Sequence, residues 1–375
     1  MKYPTYKLGD ILSYEQPTNY IVESTEYDGS YPTPVLTAGK SFILGYTNET
    51  KGVYDKLPVI IFDDFTTASQ FVDFKFKVKS SAMKILSCNE EIADIKYMYY
   101  LMQITHIQSD THKRYWISDY SKIPVSLPPL PTQHAIVSRI ESLFAELDKA
   151  EEHLRTAQQQ LKTYRQAVLN HWLNNDDGKW EMVKLGEVIE VKDGTHDTPK
   201  YVQSGIPFVT QKNITESGIS FSNVQYITEQ DHLKFHERSN VAQNDILIAM
   251  IGANRGNATI VNTDTIFSIK NVGLLKYAPN VFNNKFLLFY LRSQEAINYI
   301  KRQSKGGAQE FIGLKELRNF PITFPPLSEQ QRIVKEIESR LSQTEATEAR
   351  IAESLQQTEA LRQSILKKAF SGELV

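Results

Sequence analysis

Few residues of this sequence have the types and spacing that catalysis or metal binding needs. Thr195-His196-Asp197 combines a hydroxyl, an imidazole and a carboxylate, and His232 and His236 are four residues apart, so they could share one face of a helix. Two histidines at that spacing still need further ligands, and no cysteine or acidic cluster stands at metal spacing. We therefore interpret Thr195-His196-Asp197 as a polar turn, and we predict no catalytic residue and no metal site.

The proline pairs Pro128-Pro129 and Pro325-Pro326 do not form an amino-methyltransferase motif, which reads Asn/Asp-Pro-Pro-Phe/Tyr. Leu127 and Phe324 precede them, so the polar group of that motif is missing. The sequence also contains no Gly-x-x-x-x-Gly-Lys-Ser/Thr phosphate loop, dinucleotide fingerprint or nucleophile elbow. These patterns favour recognition without chemistry, although an enzyme with an unrecognised site remains an alternative.

Basic residues beside glycines or aromatic rings could contact nucleic acid. Lys75, Lys77 and Lys79 alternate with apolar residues, so they would share one face of a strand and follow phosphates; a charged edge strand is the alternative. The segments 112–116 and 301–307 mix cations with aromatics or glycines at corresponding places late in each half. An ordinary polar surface loop would explain them equally well.

Two further segments complete the candidate set. Arg255 lies in a predicted tight loop, where it could reach a base or phosphate or cap a strand. Thr37 to Lys40 occupies the place that Thr210-Gln211-Lys212 occupies in the other half. The candidate DNA-contacting residues are Thr37, Lys40, Lys75, Lys77, Lys79, Lys113, Arg114, Thr195, His196, Lys200, Gln211, Lys212, Arg255, Lys305 and Gln309.

An internal repeat organises the chain. Residues 123–142 and 320–339 are identical at ten of twenty positions at a constant shift of 197, including Pro-Pro-Leu and a following glutamine. Upstream, Lys7-Leu8-Gly9-Asp10 resembles Lys184-Leu185-Gly186-Glu187. A repeat of this length is one structural unit used twice. We therefore predict the order globular half, helix, globular half, helix.

Each repeat copy is predicted to begin a long helix. Since prolines cannot lie in a helix interior, Thr132 and Ser328 are the predicted N-caps. Asn174–Gly178 and Ser371-Gly372 predict the two helix ends.

Small or apolar residues in the first helix recur at steps of four and three, which is a heptad seam. The same seam shifted by 197 includes Arg340, Thr347 and Leu361 in the second helix. We predict one antiparallel coiled coil, and the alternative is that each helix packs on its own globular half.

The globular halves are predicted to be mixed α and β. Val59–Phe62 and Ile246–Met250 are candidate buried strands, Phe71–Val78 alternates like a strand, and Tyr97–Met102 and Phe286–Leu291 are candidate amphipathic helices. The chain is 41% hydrophobic and 23% charged, with a net charge of −2. Binding to nucleic acid would therefore rely on local basic stripes or on a partner's charge.

The sequence predicts a cytoplasmic protein. Its first residues contain no apolar signal segment, and no apolar run approaches ~18 residues, which excludes a predicted membrane span. Cys88 is the single cysteine, so no internal disulfide can form. Such cysteine usage is typical of a reducing compartment.

The arrangement as a whole resembles the specificity subunit of type I restriction-modification systems. The resemblance rests on two halves that begin with Lys-Leu-Gly-(Asp/Glu) and end with Pro-Pro-Leu before a glutamine. Gly194–Pro199, Thr210–Ile214 and Gly306–Gln309 are further local matches, and the resemblance covers essentially the whole chain.

The resemblance implies an α+β fold with an internal pseudo-two-fold repeat. Two mixed α/β target-recognition domains would be separated by two long α-helices that form the antiparallel coiled coil. The implied boundaries are 1–127 for the first target-recognition domain, 128–177 for the central spacer helix, 178–324 for the second target-recognition domain and 325–375 for the C-terminal spacer helix.

The resemblance also implies a non-catalytic subunit that reads a bipartite, asymmetric DNA site. Its partners would be double-stranded DNA, two methyltransferase subunits and, through them, motor-nuclease subunits, with no membrane involved. S-adenosylmethionine and ATP would bind to those partners, and this chain would hold no cofactor. The alternative is a coiled-coil scaffold whose halves bind proteins rather than DNA.

Helix positions off the predicted seam are the candidate partner-binding residues. Several recur at the shift of 197, which would give one partner surface used twice. The alternative is that they cap or brace the helices. They are Arg139, Glu141, Arg165, Gln166, Glu338, Arg362 and Gln363.

Overall fold

The chain folds into two compact units. Unit 1 comprises Met1–Arg155 and Ala352–Val375, and unit 2 comprises Thr156–Ile351. Each unit contains one globular half and part of both long helices. The structure is a computed structural model, and it describes residues 3–39, 41–105, 107, 114–174, 178–307 and 310–374. None of the helices in these ranges is long and apolar enough to cross a membrane.

The globular half of unit 1 consists of short strands and short helices that precede the first long helix. The strands are β1 (Thr5–Lys7), β2 (Leu12–Glu15), β3 (Thr33–Leu36), β4 (Ile43–Thr47), β5 (Val59–Asp63), β6 (Ser69–Val72), β7 (Lys77–Val78), β8 (Met83–Cys88) and β9 (Pro124–Ser126). The helices are α1 (Leu8–Ile11), α2 (Ile95–Ile104), α3 (Tyr115–Ser118) and the long α4 (Leu130–Leu173).

Unit 1 contains two larger sheets and two hydrophobic cores. One has the strand order β2-β8-β5-β6 and the other β4-β3-β7, in which β3 and β7 are parallel. Successive side chains of a strand point to opposite faces. Phe62 of β5 accordingly packs with Trp116 in one core, while Ile61 packs with Phe76 in the other. The predicted buried strand at Val59–Phe62 is therefore confirmed.

The predicted strand Phe71–Val78 is wrong. Strand β6 ends at Val72, and β7 begins at Lys77 in the other sheet. The three consecutive residues Phe76, Lys77 and Val78 are all buried. The alternation of apolar and charged residues therefore does not correspond to a buried and an exposed face of one strand. The reason is that β7 lies inside the core rather than at a solvent-exposed surface.

The globular half of unit 2 begins after α4. Its strands are β10 (Met182–Lys184), β11 (Val191–Asp193), β12 (Ile206–Val209), β13 (Ile214–Thr215), β14 (Gly218–Ile219), β15 (Gln225–Ile227), β16 (Ile246–Ala249), β17 (Ala258–Ile260), β18 (Ser268–Ile269), β19 (Val272–Leu275) and β20 (Pro321–Thr323). Its helices are α5 (Leu185–Val188), α6 (Glu229–Ser239), α7 (Asn284–Leu291), α8 (Gln294–Gln303) and α9 (Leu314–Arg318), followed by the long α10 (Leu327–Ser371).

Unit 2 repeats the sheet topology of unit 1. Its sheets have the orders β11-β19-β16-β17 and β15-β12-β18, and β12 runs parallel to β18 as β3 does to β7. Strand β16 and helix α7 confirm the two elements predicted there, and α2 confirms the predicted helix in unit 1. Two dissimilar sequences therefore build the same arrangement of strands.

The first and last strands of each globular half pair with each other. In unit 1, β1 is antiparallel to β9 with Lys7 opposite Pro124; in unit 2, β10 is antiparallel to β20 with Lys184 opposite Pro321. A Cβ added at Gly9 would lie 3.0 Å from the Cβ of Ser121. At Gly186, the corresponding distance to the Cβ of Arg318 is 3.0 Å. The Lys-Leu-Gly-(Asp/Glu) repeat therefore lies beside the paired terminal strands of each half. Its glycine is required because a larger side chain would collide with Ser121 in unit 1 or Arg318 in unit 2.

The glutamine of each repeat copy is a buried polar anchor. Gln133 accepts a hydrogen bond from the backbone N–H of Asp94 (2.8 Å) and donates to the carbonyl oxygens of Ile92 (2.8 Å) and Pro128 (2.7 Å). Both Gln133 and Gln330 have no exposed surface. Each fastens the start of a long helix to its own globular half.

Gln330 forms the equivalent bonds in unit 2. It accepts from the N–H of Asn283 (2.9 Å) and donates to the carbonyl oxygens of Val281 (3.0 Å) and Pro325 (2.9 Å). Asp94 and Asn283 are themselves the N-caps of α2 and α7. A single side chain therefore ties together two helix starts in each unit.

The predicted N-caps of the long helices are wrong, whereas the predicted ends are confirmed. Helix α4 begins at Leu130 and α10 at Leu327, so Thr132 and Ser328 lie inside the first turn. Pro131 is tolerated there because the first N–H groups of a helix have no intrahelical acceptor. The helices end at Leu173 and Ser371, beside the predicted terminators.

The two long helices run antiparallel within each unit. In unit 1, Arg362 of α10 pairs with Asp148 of α4, and Leu366 further along α10 shares a core with Ile140 earlier in α4. In unit 2, Arg165 binds Glu348 at 2.8 Å, while Arg340 lies over the ring of Trp172. The antiparallel coiled coil is therefore confirmed inside each unit.

The predicted seam of α10 is confirmed at five positions and wrong at three. Ile333, Ile337, Thr344, Ile351 and Thr358 are buried, whereas Arg340, Thr347 and Leu361 are exposed. The seam includes Glu348 and Arg362, whose charges are balanced by partners on α4. The prediction took the seam positions of α4 and shifted them by 197. It misplaced these positions because it looked for apolar residues, whereas the seam also contains charged residues that form ion pairs.

Candidate nucleic-acid interface

The carboxyl ends of the parallel strand pair carry a threonine and a lysine in both units. Thr37 and Lys79 follow β3 and β7, and Thr210 and Lys270 follow β12 and β18. The same backbone bond fixes each lysine: Lys79 N–H donates to Leu36 (3.1 Å), and Lys270 N–H donates to Val209 (2.9 Å). Ligands of open sheets commonly bind outside the carboxyl ends of parallel strands.

A cleft of about 630 Å³ opens at this place in unit 2. We call it the β12–β18 cleft. Its lining consists mainly of carboxamides, hydroxyls and ammonium groups, with two aromatic rings. The lining residues are Tyr201, Phe208, Thr210, Gln211, Lys212, Asn213, Ser220, Ser222, Asn223, Gln225, Lys270 and Asn271. Gln211 and Lys212, which the sequence suggested, therefore lie in one concave surface.

The turn around His196 adjoins the β12–β18 cleft through Asn271. The two ring nitrogens of His196 lie 2.7 Å from Asn271 Oδ1 and 3.0 Å from Asp193 Oδ2. Arg238 of α6 donates to the other oxygen of Asp193 at 2.7 Å. The imidazole is thus held in place by its neighbours, and a DNA contact by His196 stays a prediction.

Thr195 and Lys200 differ in exposure. Thr195 is buried, and its hydroxyl accepts a hydrogen bond from the N–H of Asp197 at 3.1 Å. Its position is fixed by Gly194, where a Cβ would come within 2.3 Å of the carbonyl oxygen of Ile269. Thr195 therefore shapes the turn, whereas Lys200 is exposed beside Tyr201.

The three candidate lysines of unit 1 do not share a face. Lys77 is buried, with its ammonium 2.7 Å from Glu49 and 2.7 Å from the carbonyl oxygen of Lys51. Lys75 and Lys79 are exposed, and Lys75 lies 3.8 Å from Asp55. The expectation that Lys77 contacts phosphate is wrong for this conformation, since its charge is neutralised inside the core.

Parts of the basic segments 112–116 and 301–307 lie in helices rather than in the loops that the sequence predicts. Arg114 is exposed, but Tyr115 and Trp116 belong to α3 and are buried, so they pack the core rather than interleave with cations at the surface. Lys305 pairs with Glu316 at 2.7 Å. Lys40, Lys113 and Gln309 lie outside the described residues.

Arg255 is held inside unit 2. Its guanidinium lies 2.7 Å from the carboxylate of Glu310, and only 12% of its side chain is exposed. It also approaches the carbonyl oxygen of Gly252 at 3.4 Å. Arg255 therefore braces its own loop in this conformation, which leaves a DNA contact by this residue a prediction.

Most candidate partner-binding residues have partners within their own unit. Arg165 binds Glu348 and Glu216, and Gln166 donates to the carbonyl oxygen of Arg292 at 3.1 Å. Glu141 and Glu338 pair with Lys96 and Lys285, Arg362 pairs with Asp148, Gln363 is half-buried and Arg139 is exposed. These contacts agree with the bracing alternative, and partner binding by these residues stays a prediction.

Lys270 and Asn271 line the cleft but were not among the candidate residues predicted from the sequence. Phe267-Ser268-Ile269-Lys270 parallels Phe76-Lys77-Val78-Lys79, a signal that comparison of the two halves could have detected. Asn271 adopts a left-handed conformation with φ of 52°, which places it at the junction of β18 and β19. Its contact with His196 links the cleft to the predicted turn.

The described residues contain no cluster of three or more side chains that could hold a metal ion. His232 and His236 do lie close, with ring centroids 5.2 Å apart, but His232 Nδ1 bonds the hydroxyl of Ser268 at 2.8 Å. Burial, and then the charge of His236, lower the pKa of His232 below its usual range. The histidine pair is therefore part of the packing of α6 against β18.

A family model describes the same two-fold organisation. Residues 2–156 and 177–357 match the type I restriction modification DNA specificity domain. The matches cover most of both globular halves and much of both long helices.

Two specificity subunits of type I restriction enzymes are similar to this chain. The type I restriction enzyme EcoR124I/EcoR124II specificity subunit of Escherichia coli is 34% identical over 357 residues, which cover 88% of this chain and 84% of that protein. The EcoBI specificity subunit of the same species is 27% identical over 275 residues, which cover 66% of this chain and 58% of that protein.

A solved structure has the same fold. It comes from work on the complex assembly and conformational transition of the type I R-M system, and it matches with a TM-score of 0.71 at 20% identity. The match covers 100% of this chain and 98% of that one.

Proposed function

The chain belongs to the type I restriction modification DNA specificity family, and we infer from this that it is the non-catalytic DNA-recognition subunit of a type I restriction-modification complex. The observation that carries the inference is the repeated match: each globular half has its own specificity domain. A scaffold whose halves bind only proteins is not favoured, because the family is defined by DNA specificity.

Each unit would read one half of a bipartite DNA site. The two globular halves share sheet topology, so they present equivalent edges, but their exposed residues differ. Two like modules match two half-sites related by the symmetry of the duplex. Because the modules are not identical, the complete site need not be a palindrome.

The chemistry would reside in the partner subunits. The complex assembles from this chain with methyltransferase and motor-nuclease subunits, and we propose two methyltransferase copies because the helical repeat occurs twice. S-adenosylmethionine and ATP would bind to those partners, and a cytoplasmic location would give the complex access to cellular DNA.

Fluorescence polarisation tests the proposed function directly. The chain, with and without its methyltransferase partner, is titrated against random-sequence duplex and against duplex that carries the methylated site found by sequencing modified DNA. We expect binding to fall steeply with salt, as phosphate contacts require, and methyl transfer to occur only with the partner. Salt-independent binding, or methylation without sequence preference, would contradict the assignment.

A further inference from the structure

The β12–β18 cleft has a lining suited to nucleic acid. Among its described lining residues none carries a carboxylate, whereas Lys212 and Lys270 contribute two positive charges. Sites for small organic ligands are predominantly apolar, and only Tyr201 and Phe208 are aromatic here. An open, polar and cationic concavity is better matched to a strand of DNA than to a small apolar ligand.

Some of the polar groups in the cleft are already engaged. The carboxamide of Asn213 is buried, accepting from Thr210 N–H (2.9 Å) and donating to the carbonyl oxygen of Ser220 (3.0 Å). The hydroxyls of Ser220 and Ser222 bond each other at 2.6 Å. These residues shape the cleft, and other residues of its lining are available to bind a ligand.

Three carboxamides remain at the surface of the cleft. Asn223 and Gln225 are exposed and Gln211 is half-buried. Asn223 has a φ of 58° and lies in the loop that precedes β15. A carboxamide can donate and accept at once, which matches the N6 and N7 edge of adenine, while lysine matches phosphate or guanine.

We propose that the β12–β18 cleft reads one half-site, with Asn223, Gln225 and Gln211 on base edges and Lys270 and Lys212 on the backbone. This proposal rests on the proposed function, since it names the surface through which unit 2 recognises DNA. Lys270 bonds the hydroxyl of Thr198 in the free chain, so phosphate would replace that neutral partner. Lys212 is exposed, and within the described residues it forms no ion pair that would have to be displaced.

Unit 1 carries the counterpart of this surface. Lys79 occupies the place of Lys270, with the same backbone bond to the neighbouring parallel strand, and it is exposed. Thr37 occupies the place of Thr210. Lys79 therefore contacts the backbone at the other half-site.

The test uses the complete methyltransferase complex on duplexes in which every position of the wild-type site is randomised in turn. Asn223→Gly keeps a backbone that favours positive φ but removes the carboxamide. We expect preference at one or two adjacent positions of a single half-site to relax by about 5- to 150-fold, with the other half-site unchanged. Asn244→Gly is the matched control, because Asn244 also has positive φ, at 70°, but does not line the cleft.

The lysine variants give an independent readout. Lys270→Met should weaken binding to all sequences similarly and lower the salt slope by about one, while Lys315→Met, an exposed lysine outside the cleft, should not. Gln225→Ala repeats the base-reading test if Asn223→Gly unfolds the unit. Unchanged preferences in both carboxamide variants, or changes in both half-sites, would overturn the proposal. If the wild-type complex itself lacked sequence preference, the proposed function would fail instead.

Discussion

At the scale of single residues, a buried ion pair stands out in unit 1. Lys84 of β8 and Asp64 lie 3.3 Å apart, and their side chains are each 1% exposed. Asp64 also accepts a hydrogen bond from the backbone N–H of Trp116 at 2.8 Å. The pair therefore positions the start of α3, directly after exposed Arg114.

We expect Lys84→Met to destabilise unit 1 by about 3–5 kcal/mol, because it leaves a carboxylate buried without its counter-charge. The double variant Lys84→Met/Asp64→Asn should recover part of that loss, since no unpaired charge remains. Hydrogen exchange of the backbone amides of unit 1 measures both. A double variant less stable than the sum of the single effects would contradict this account.

A second prediction concerns pH and His232. Burial and the neighbouring His236 hold its pKa below the ordinary value near 6.5. The unfolded chain therefore binds more protons than the folded chain between that value and the lowered pKa, and stability falls as pH drops through this window. His232→Gln should flatten this dependence in unfolding experiments between pH 7 and pH 5, whereas exposed His153→Gln should leave it unchanged. An identical slope in all three proteins would exclude His232 as the source.

At the scale of elements, the buried glutamines explain why the repeat is retained in sequence. Gln133→Ala would leave one N–H and two carbonyl groups without their partner, and each such buried group costs about 1–3 kcal/mol. We expect a loss of at least about 2 kcal/mol, confined to unit 1, and an equal effect of Gln330→Ala in unit 2. Exposed Gln160→Ala on α4 is the control. Equal destabilisation of both units by either variant, resolved by hydrogen exchange, would contradict separate anchors.

Much at the scale of elements could be predicted from the sequence. The long helices, their ends and the buried strand at Val59–Phe62 follow from local patterns, which depend on neighbouring residues alone, and the order of the halves follows from the internal repeat. The strand predicted at Phe71–Val78 failed because Lys77 is neutralised by Glu49, a residue distant in the sequence. The seam of α10 was misplaced at Thr347 and Leu361 for the same reason, since the adjacent Glu348 and Arg362 are half-buried and pair with charged residues on another helix.

The candidate site was only partly predictable. Gln211, Lys212 and His196 were identified from local motifs, and the structure brings the first two together while Asn271 connects them to the third. Lys270 was missed because its position depends on the parallel pairing of β12 with β18, a nonlocal contact. Propensity cannot reveal such a pairing, but comparison of the two halves can.

At the scale of the whole molecule, both long helices contribute to both units. Helix α4 passes from unit 1 into unit 2 at Arg155–Thr156, and α10 passes back at Ile351–Ala352. Ion pairs on either side of these boundaries belong to one unit each, since Arg165 binds Glu348 in unit 2 and Arg362 binds Asp148 in unit 1. An insertion at both boundaries would therefore leave the contacts inside each unit unchanged.

Such an insertion tests whether the helices set the spacing between half-sites. Four residues added at both boundaries lengthen each helix by roughly 6 Å at about 1.5 Å per residue. Since DNA rises about 3.4 Å per base pair, we expect the spacer between the half-sites to grow by one to two base pairs while both half-site sequences stay the same. Four residues make slightly more than one turn and approximately preserve the facing of the seam, whereas two residues would turn it to the opposite side and should impair folding. Insertion in α4 alone should also fail, because α10 would no longer match its length. Sequencing of the methylated sites decides the matter: an active double-insertion variant that keeps the original spacer would show that the distance is fixed elsewhere in the complex.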